Sequence, residues 1–507
     1  MDNAGVRQSD RAEALGLLAQ GKPALLWRRL VADTETPVGA ALKLFEDGRG
    51  DFLLESVEGG DTRGRYSLVG LDPDLVFRAH GHGCAINRAW KTDRTAFAPL
   101  PGDALAELRG LVESCRIDVP AALPKALACL VGYFGYETIG LVEKLPRAPE
   151  SDLELPDMLF VRPSLILVFD RLGDELFCVA PLWPEGGQPE QLVEAAGERI
   201  DEALRTLAAP VPVAQPVTDL PEPVQRPVMD AGAYESMVLR AKDYIEAGDI
   251  FQVVLAQRFT CEFPLPPLAL YRSLRRVNPS PFLYFLDLPG FALIGSSPEI
   301  LVRVRDGEVT IRPIAGTRPR GKTVAEDKAN EVSLLADPKE RAEHLMLLDL
   351  GRNDVGRVAA AGTVEVTDSY TIERYSHVMH IVSNVVGRLD TARHDAIDAV
   401  FAGFPAGTVS GAPKVRACEI IAELEPETRG AYAGGVGYFA PDGSVDSCIV
   451  LRTGVLKDGV LHVQAGAGIV ADSNPDYEQR ECEAKSGALF AAAREAIRVA
   501  GELGFGQ

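Results

Sequence analysis

Two pairs of strand-like segments, each joined by an Asp-Gly turn, constrain the fold more than any other feature of the sequence. Residues 300–313 turn at Asp306-Gly307, and residues 448–466 turn at Asp458-Gly459. Asp-Gly is favoured in the tight turns that join neighbouring antiparallel strands. Such hairpins outnumber β-α-β alternations along the chain, and segments of helical periodicity lie between them. The sequence therefore predicts an α+β fold in which antiparallel sheets are covered by helices.

A proline-rich segment divides the chain. At 507 residues the chain is too long for one ordinary core, so two or three domains are expected. Residues 209–228 contain six prolines, which is typical of a semi-extended linker. We therefore predict an N-terminal domain at 20–208 and a second domain at 229–495, joined by this linker.

The composition excludes several classes of partner. The net charge of -21 disfavours binding to nucleic acid or to an anionic membrane surface. No apolar run reaches the ~18 residues of a transmembrane helix, and the N-terminal sequence lacks the pattern of a signal peptide. The eight cysteines show no metal-binding spacing and are typical of reduced, buried thiols. We expect a cytoplasmic protein without nucleic-acid or membrane partners.

Two helices are predicted to begin in the same way and to present carboxylates. Asn474-Pro475 and Asp337-Pro338 each combine a capping side chain with proline at the first helical position. Each helix then carries two glutamates on one face, three residues apart. Four converging carboxylates would repel one another unless a divalent cation lay between them, and Mg2+ prefers oxygen ligands. The alternative is two unrelated solvated helix faces with a capping glutamate. The four residues are Glu340, Glu343, Glu478 and Glu481.

Two glycine-rich motifs resemble nucleotide sites but lack the required context. GTRPRGKT (316–323) matches the phosphate-loop pattern, yet Pro319 removes a donor amide and LMLLD (345–349) continues a helix instead of forming a strand. GAGIVA (466–471) matches a dinucleotide-binding pattern, but the helix begins only at Pro475. A phosphate-loop nucleotide-binding protein is kept as an alternative from a different functional class.

Several single residues allow both a functional and a structural interpretation. His380 is either a site residue or a satisfied core histidine. Thr317 and Thr408 each follow a glycine, as a hydroxyl and amide pair that grips an anion would require, but ordinary turns use the same pairing. Three cations can bind carboxylates or can be ordinary surface charges: Lys414, Arg452 and Lys485.

Six ordered sequence blocks resemble the chorismate-utilising enzymes. They are PIAGTRPRG (313–321), ERAEHLMLLDLGRNDVGRV (340–358), FPAGTVSGAPK (404–414), YAGGVGY (432–438), IVLRT (449–453) and QAGAGIVADSNPDYEQRECEAK (464–485). LLES (53–56) and RYSLVG (65–70) resemble the N-terminal domain of the anthranilate synthase component I family. The resemblance implies that family's fold, with antiparallel sheets packed in a sandwich and covered by helices.

Two positions in the second half of the chain bear on the nucleophile that such an enzyme would add to chorismate. Family members that add water carry a lysine where this chain has Gln252, and members that form 4-amino-4-deoxychorismate carry a lysine where it has Ala315. The resemblance therefore implies attack by ammonia at C2 and loss of pyruvate to give anthranilate, the first committed step of tryptophan biosynthesis. A 4-amino-4-deoxychorismate synthase or an isochorismate synthase of the same family is the alternative.

The resemblance also implies roles for individual residues. Mg2+ would be held by the four glutamates of the two helices. Glu299 would be the general acid, His380 would serve pyruvate loss, and Thr408 would lie beside the substrate. The substrate-binding positions are Gly316, Thr317, Tyr432, Arg452, Gly466, Ala467, Gly468 and Lys485.

Regulation and a partner are implied in the same way. Tryptophan would act as feedback inhibitor from a pocket formed by Glu55, Ser56, Asn278, Pro281, Phe282 and Leu283. The sequence shows no glutaminase motif. Ammonia would therefore come from a separate glutamine amidotransferase subunit, in a hetero-oligomer.

Overall fold

Both Asp-Gly hairpins form where the sequence predicts them. The computed structural model of the chain describes residues 8–58, 62–212, 215–375 and 378–502. The strands on either side of Asp306-Gly307 and of Asp458-Gly459 pair antiparallel. Both residues of each turn have positive φ, 50° and 75° in the first turn and 51° and 75° in the second. Glycine adopts this left-handed conformation without strain and aspartate tolerates it, which explains why the dipeptide is a turn signal.

The described residues contain the following helices and strands. The α-helices are α1 (Arg11–Ala19), α2 (Pro37–Leu44), α3 (Ala104–Ser114), α4 (Pro189–Leu207), α5 (Ala233–Glu246), α6 (Pro267–Val277), α7 (Val324–Ala336), α8 (Pro338–Gly356), α9 (Ala396–Gly403), α10 (Lys414–Leu424) and α11 (Pro475–Ala500). Short 3-10 helices occupy Tyr136–Leu141, Pro184–Gly186 and Gly407–Val409. The strands are β1 (Ala24–Val31), β2 (Phe52–Glu58), β3 (Thr62–Leu71), β4 (Leu75–His80), β5 (Gly83–Asn87), β6 (Ala98–Leu100), β7 (Leu130–Phe134), β8 (Met158–Arg162), β9 (Leu165–Asp170), β10 (Glu175–Leu182), β11 (Arg226–Pro227), β12 (Gln252–Glu262), β13 (Phe282–Leu288), β14 (Phe291–Ser297), β15 (Ile300–Arg305), β16 (Glu308–Ile311), β17 (Ile314–Pro319), β18 (Glu365–Arg374), β19 (Val378–Arg388), β20 (Gly411–Ala412), β21 (Gly435–Phe439), β22 (Val445–Ile449), β23 (Thr453–Lys457) and β24 (Val460–Ile469).

Over the described ranges, the strands form two antiparallel sheets of twelve strands each. The first sheet has the order β1-β10-β9-β3-β2-β13-β14-β23-β24-β12-β11, with β20 beside β12. The second has the order β17-β19-β16-β15-β22-β21-β7-β8-β4-β5-β6, with β18 beside β19. Strands from the two sides of the proline-rich segment meet in both sheets, at β2–β13 and at β7–β21. The domain division at 209–228, of which residues 213 and 214 lie outside the described residues, therefore stays a prediction.

The two sheets pack face to face and helices cover their outer faces. Tyr133 on β7 of the second sheet meets Phe291 on β14 of the first edge-on, with ring centroids 5.9 Å apart. The next residue, Phe134, points to the other face of its sheet and meets Phe401 of α9 at 5.4 Å. On the first sheet, α11 packs against β24 and α6. This sandwich of antiparallel sheets covered by helices confirms the predicted α+β fold.

The two nucleotide-binding motifs lie in β-sheets. Residues 316–319 belong to β17 and pair with β19, and LMLLD lies inside α8. The GAGIVA motif begins inside β24, which pairs with β12, and α11 begins only at Pro475. Neither motif has the strand–loop–helix geometry that cradles a phosphate. The nucleotide-binding alternative therefore finds no support in the fold.

Two expectations about composition can be compared with the structure. All eight cysteines are buried and free of disulfides. Among the helices of the described ranges, none has the length and apolar character that crossing a membrane requires.

Candidate active site

Glycines in β24 allow two side chains to approach its backbone. A Cβ on Gly466 would lie 2.8 Å from the Tyr432 hydroxyl oxygen, and a Cβ on Gly468 would lie 2.5 Å from the Gln252 amide nitrogen. Both distances are shorter than Cβ contacts allow, so these approaches require glycine. The two glycines pair with Ala256 and Val254 of β12. The end of β24 thus gathers several predicted substrate-binding residues.

Lys485 of α11 and Ala467 of β24 lie at the same end of this strand. Ala467 is buried between the two glycines. The Lys485 ammonium group donates to the Gly466 carbonyl at 2.9 Å and forms an ion pair with Glu481 at 2.7 Å. An ammonium group has three donors, and these two contacts leave one for an anionic ligand.

Glu299 is a buried carboxyl group that keeps its proton at neutral pH. It immediately precedes β15, and only 7% of the residue is exposed. The Thr408 hydroxyl donates to Glu299 Oε2 at 3.1 Å. Burial raises the pKa of Glu299 to about 8, although hydrogen bonds from Thr408 and from the Ile314 backbone amide lower it. A carboxyl group with this pKa can act as a general acid.

His380 is a neutral imidazole with one free lone pair. It lies on β19 opposite Thr317 of β17. Its Nδ1 is 3.1 Å from the Gly316 carbonyl oxygen and 3.0 Å from the Thr317 hydroxyl oxygen. Because a carbonyl oxygen only accepts, we assign the proton to Nδ1, which leaves Nε2 as the basic nitrogen. Burial lowers the pKa of His380 to about 4, so this base is free at pH 7.

Arg452 and Tyr375 lie around His380. The Tyr375 ring meets the imidazole edge-on at 5.4 Å between centroids. The charge of Arg452 contributes to the lowered pKa of His380, which shows that the guanidinium lies close by. Burial lowers the pKa of Arg452, and in the described part of the chain no carboxylate forms an ion pair with it. Such a guanidinium is suited to bind a carboxylate ligand.

The four predicted metal ligands lie where the N-termini of α8 and α11 meet. Lys339 of α8 forms an ion pair with Asp472, just before α11, at 3.0 Å. Burial raises the pKa of Glu343, and the negative charges of Glu340 and Glu481 raise it further. Carboxylates from both helices are therefore close enough to repel one another.

Protein cations neutralise part of this acidic cluster. Arg318 pairs with Glu340 at 2.9 Å, and Lys485 pairs with Glu481. Burial raises the pKa of Glu478, and the charge of Glu481 adds to the rise. Within the ranges that the structure describes, no three Asp, Glu, His or Cys side chains converge tightly enough to hold a metal ion. The oxygen donors suit Mg2+, and the repulsion between them is what a divalent cation would relieve.

Gly316 connects the acidic cluster to His380. Its φ is 75°, and a Cβ at this position would lie 3.1 Å from Glu340 Oε2. Its carbonyl oxygen contacts the His380 ring. The acidic cluster and His380 are thus parts of one site.

Lys414 does not join this site. Its ammonium group forms a buried ion pair with Asp354 of α8 at 3.0 Å. A charge that is neutralised in this way is not available to a substrate carboxylate. Lys414 is therefore neither a free partner for a substrate nor an ordinary surface charge, but half of a buried ion pair.

A cavity of about 590 Å³ lies between the two sheets. On the side of the second sheet, its lining includes Glu373 of β18, Arg312 between β16 and β17, and Tyr375 just after β18. Asn278 is buried but does not line the cavity. The other five residues predicted to bind tryptophan do line it: Glu55, Ser56, Pro281, Phe282 and Leu283.

Three side chains around Glu55 were not predicted from the sequence. The Glu55 carboxylate accepts hydrogen bonds from Arg171 at 2.6 Å, from the Tyr271 hydroxyl at 2.7 Å and from Arg275 at 3.0 Å. Arg171 follows β9, whereas the other two residues lie on α6. The i, i+4 spacing predicts that Tyr271 and Arg275 are neighbours on one face of a helix, but it does not predict that this face contacts Glu55.

Arg318 and Tyr375 were also missed. Arg318 lies two residues beyond Gly316 in β17, so the two residues share a face of the strand, which is a usable signal. Tyr375 precedes β19 in the sequence, and its backbone amide donates to the Val378 carbonyl at 2.8 Å. Tyr375 lies just before the strand that carries His380, so a prediction of β19 would have identified it as a candidate neighbour of His380.

Comparison with known proteins identifies the family of the chain. The sequence model of the family described as chorismate binding enzyme matches residues 61–491. Anthranilate synthase component 1 of Cereibacter sphaeroides is 54% identical over 481 residues, which cover 94% of this chain and 95% of that protein. The crystal structure of anthranilate synthase component I from Streptococcus pneumoniae TIGR4 aligns with a TM-score of 0.75 at 37% identity, covering 84% of this chain and 92% of that one. The menaquinone-specific isochorismate synthase of Escherichia coli, at 20% identity and a TM-score of 0.69, shares the fold over 95% of this chain and 99% of its own. The chain therefore belongs to the chorismate binding enzyme family, and curated relatives at 46 to 54% identity are named anthranilate synthase component 1.

Proposed function

We propose that this chain is the catalytic component of an anthranilate synthase, which converts chorismate and ammonia into anthranilate, pyruvate and water. The observation that carries the proposal is a protonated acid and a neutral base in one site, Glu299 and His380. Because one residue is protonated and the other is not, a single site can perform an acid step and a base step at the same pH. Similarity to proteins named anthranilate synthase component 1 supports the same reaction.

In the first step, ammonia adds to C2 of the chorismate ring and the C4 hydroxyl group leaves. Glu299 gives its proton to that hydroxyl, which departs as water, because burial keeps the carboxyl group protonated. The hydrogen bond that Thr408 donates to Oε2 holds the carboxyl group in place for this transfer. The product of this step is 2-amino-2-deoxyisochorismate.

Gln252 supports ammonia as the nucleophile. Its side chain is buried, and in the described residues its Oε1 has no hydrogen-bond partner. An amide cannot take a proton from water, whereas neutral ammonia attacks without a base and can donate an N–H to a carbonyl oxygen. Ala315 likewise offers no amine that could attack the ring. Both positions favour amination over the addition of water or of a lysine.

In the second step, the C2 proton and the enolpyruvyl group are lost. His380 Nε2 accepts the proton, and the Gly316 carbonyl holds the ring through Nδ1–H. The C3–O bond breaks, its electron pair leaves with the enolpyruvate, and protonation gives pyruvate. The remaining ring is aromatic anthranilate.

The two carboxylates of chorismate need cationic and amide partners. Arg452 and Lys485 supply the charges, and the backbone of 466–468 supplies a surface without bulky side chains. Tyr432 closes this surface against Gly466, and Thr317 lies beside His380. These contacts orient the ring between Glu299 and His380.

Magnesium belongs to the same proposal. Glu340, Glu343, Glu478 and Glu481 would hold Mg2+, which supplies a Lewis acid that neutralises the ring carboxylate. The burial and mutual repulsion of these carboxylates support a cation at this place. Arg318 and Lys485, which pair with Glu340 and Glu481, balance part of the charge.

Replacing Glu478 by Gln should raise the Mg2+ concentration that gives half-maximal activity by about ten- to hundredfold, as loss of a group at a metal site commonly does. Mg2+ titrations of the initial rate measure the shift. Glu483→Gln is the matched control, because Glu483 lies exposed on the same helix and accepts from Gln479 at 2.9 Å. Equal Mg2+ requirements of the two variants would remove Glu478 from the metal site.

Feedback inhibition by tryptophan is proposed for the cavity between the sheets. Its volume of about 590 Å³ is in the range that binds small ligands. Phe282 and Leu283 give apolar lining for an indole ring, and Glu55 with its two arginines gives charge for an amino acid. The cavity also touches Pro298 and Tyr375, which neighbour Glu299 and His380.

Ser56→Phe should weaken inhibition by tryptophan at least about tenfold, or ~1.4 kcal/mol. Ser56 lines the cavity, and its hydroxyl packs so closely against Gly64 that a Cβ there would lie 1.8 Å from it. Because there is no space on the Gly64 side, a phenyl ring at position 56 would extend into the cavity. The ratio of rates with and without tryptophan is the measurement. Ser236→Phe, on the exposed face of α5, is the control. Unchanged inhibition in Ser56→Phe would place the inhibitor elsewhere.

One assay tests the function. The purified chain with chorismate, Mg2+ and an ammonium salt should form fluorescent anthranilate. The name component 1 of the relatives implies a second component, and we propose that it is a glutamine amidotransferase that supplies ammonia. Glutamine should then replace ammonium only when that partner is added. Isochorismate or 4-amino-4-deoxychorismate as the product would contradict the proposal in favour of another family activity.

A further inference from the structure

A buried ion pair between Arg429 and Glu425 lies behind the site and has no role in the steps above. The guanidinium contacts both carboxylate oxygens, at 2.8 and 2.5 Å, and the two side chains are 1% and 3% exposed. Removing two charges from water costs on the order of several kcal/mol per ion. Only close pairing geometry and further hydrogen bonds can offset this cost. The further hydrogen bonds of this pair lead to the active site.

The pair joins the backbones of two segments that carry active-site residues. Arg429 donates to the Val409 carbonyl at 2.7 Å and to the Val254 carbonyl at 2.8 Å. Glu425 accepts from the Ala256 amide at 2.9 Å. Val409 follows Thr408, which holds Glu299. Val254 and Ala256 are the β12 residues that pair with the two glycines of β24.

Arg429 also supports Tyr432. The guanidinium carbon lies 5.5 Å from the centre of the Tyr432 ring and 4.6 Å from that of the Tyr136 ring. The Arg429 carbonyl accepts from the Tyr432 amide at 3.2 Å. Glu137, next to Tyr136, accepts from the Arg429 amide at 2.7 Å. The N-terminal half of the chain therefore braces this segment.

We propose that Arg429 is a positioning residue of the reaction, which sets the backbone on which Thr408, Tyr432 and the glycine strand depend. The inference rests on the proposed function. A guanidinium is required because its planar fork binds a carboxylate with two bonds and still donates to two carbonyls. A lysine would keep the charge but could not make this set of contacts.

The test is Arg429→Lys in the full chain. Misplacing reacting groups by about 1 Å can cost 10²-fold, so kcat/KM for chorismate should fall by about that factor. The alkaline limb of the pH profile should also move to higher pH. Arg429 positions the Val409 carbonyl and with it Thr408, whose hydrogen bond lowers the pKa of Glu299; the other groups facing Glu299 are the Ile314 amide and Tyr375. Thr408→Val should move the limb in the same direction, and the double variant no further.

Arg162→Lys is the matched control. Arg162 is also buried, pairs with Asp74 at 2.8 Å and lies 4.4 Å from the Trp183 ring, but it lies away from the site. It should lower the melting temperature without moving kcat/KM or the pH limb. If Arg429→Lys behaves like Arg162→Lys, the positioning role is overturned while anthranilate formation by the parent chain still supports the proposed function.

A second variant covers the case in which Arg429→Lys does not fold. Glu425→Gln keeps an acceptor for the Ala256 amide and removes the charge of the pair, and it should shift the pH limb in the same direction. If both variants fail to fold while Arg162→Lys folds, the pair has a purely structural role and the proposal fails.

Discussion

Glu299→Gln should lower kcat for anthranilate formation by about 10²- to 10⁴-fold, the usual contribution of general acid–base catalysis. The amide has nearly the shape of the carboxyl group, and its oxygen can still accept the hydrogen bond from Thr408. It cannot give a proton to the departing hydroxyl group. Initial rates at saturating chorismate, Mg2+ and ammonium measure the loss.

Asp287→Asn is the matched control for this change. Asp287 is a second buried carboxyl group whose pKa burial raises to about 7, and it accepts from the Gly48 amide at 2.7 Å. It lies at the far end of β13 and has no role in the proposed steps, so kcat should be retained. An equal loss in both variants would mean that neutralising any buried carboxyl group damages the enzyme.

The pH profile gives an independent test of the same acid. The protonated form of Glu299 is the active one, and its pKa is about 8. The rate per unit of free ammonia should stay constant below that pH and fall about tenfold per pH unit above it. Glu299→Gln should show no such limb.

The acid also affects the stability of the protein. The folded pKa of Glu299 is about 8 against an ordinary value of 4.5, so folding binds its proton more tightly. This contribution to stability is complete below pH 4.5 and is lost as the pH rises through 8. Glu299→Gln should therefore gain in melting temperature over the parent between pH 6 and pH 9. If the difference in melting temperature between the variant and the parent does not change with pH, the Glu299 carboxyl group is not buried as described.

Local chemistry explains what the sequence predicts well. The Asn474 and Asp337 side chains accept hydrogen bonds from the first-turn amides of α11 and α8, as their caps predict. The Asp-Gly turns form because two adjacent residues determine the backbone there. These signals need only a few neighbouring residues, so a single sequence contains them.

The strand that carries His380 shows where local patterns fail. The segment is rich in β-branched residues, but Ser383 and Asn384 interrupt its apolar run. Ser383 is fully buried, and its hydroxyl group can be buried because it forms a hydrogen bond with His344 Nε2 at 2.6 Å. That partner lies 39 residues away on α8, beyond the reach of any periodicity.

Pairing between distant strands is also missing from local patterns. β2 pairs with β13, so Glu55 lies opposite Leu283, and both line the same cavity. Only the family resemblance brought these residues together before the structure. The resemblance also named Glu299, but its environment, a buried carboxyl group held by Thr408, requires the fold.

His380→Ala should stop the reaction after its first step, the amination of chorismate. Amination needs Glu299 and not the histidine, so 2-amino-2-deoxyisochorismate should still form and should be released. Anthranilate formation should fall by about 10²- to 10⁴-fold, because the base that takes the C2 proton is gone. Mass spectrometry of the products, beside anthranilate fluorescence, separates the two steps.

The lone pair on His380 Nε2 makes this prediction specific. With a pKa of about 4 the ring is neutral from pH 5 upward, so the parent enzyme should show no acid limb from this residue between pH 5 and 8. His462→Ala is the control. Burial also lowers the pKa of His462 to about 4, but His462 lies on β24 and contacts Arg258 of β12. Anthranilate formed by His380→Ala at the parent rate would exclude the histidine as the base. An amino intermediate released by His462→Ala would show that loss of any buried histidine, and not loss of a base at residue 380, stops the second step.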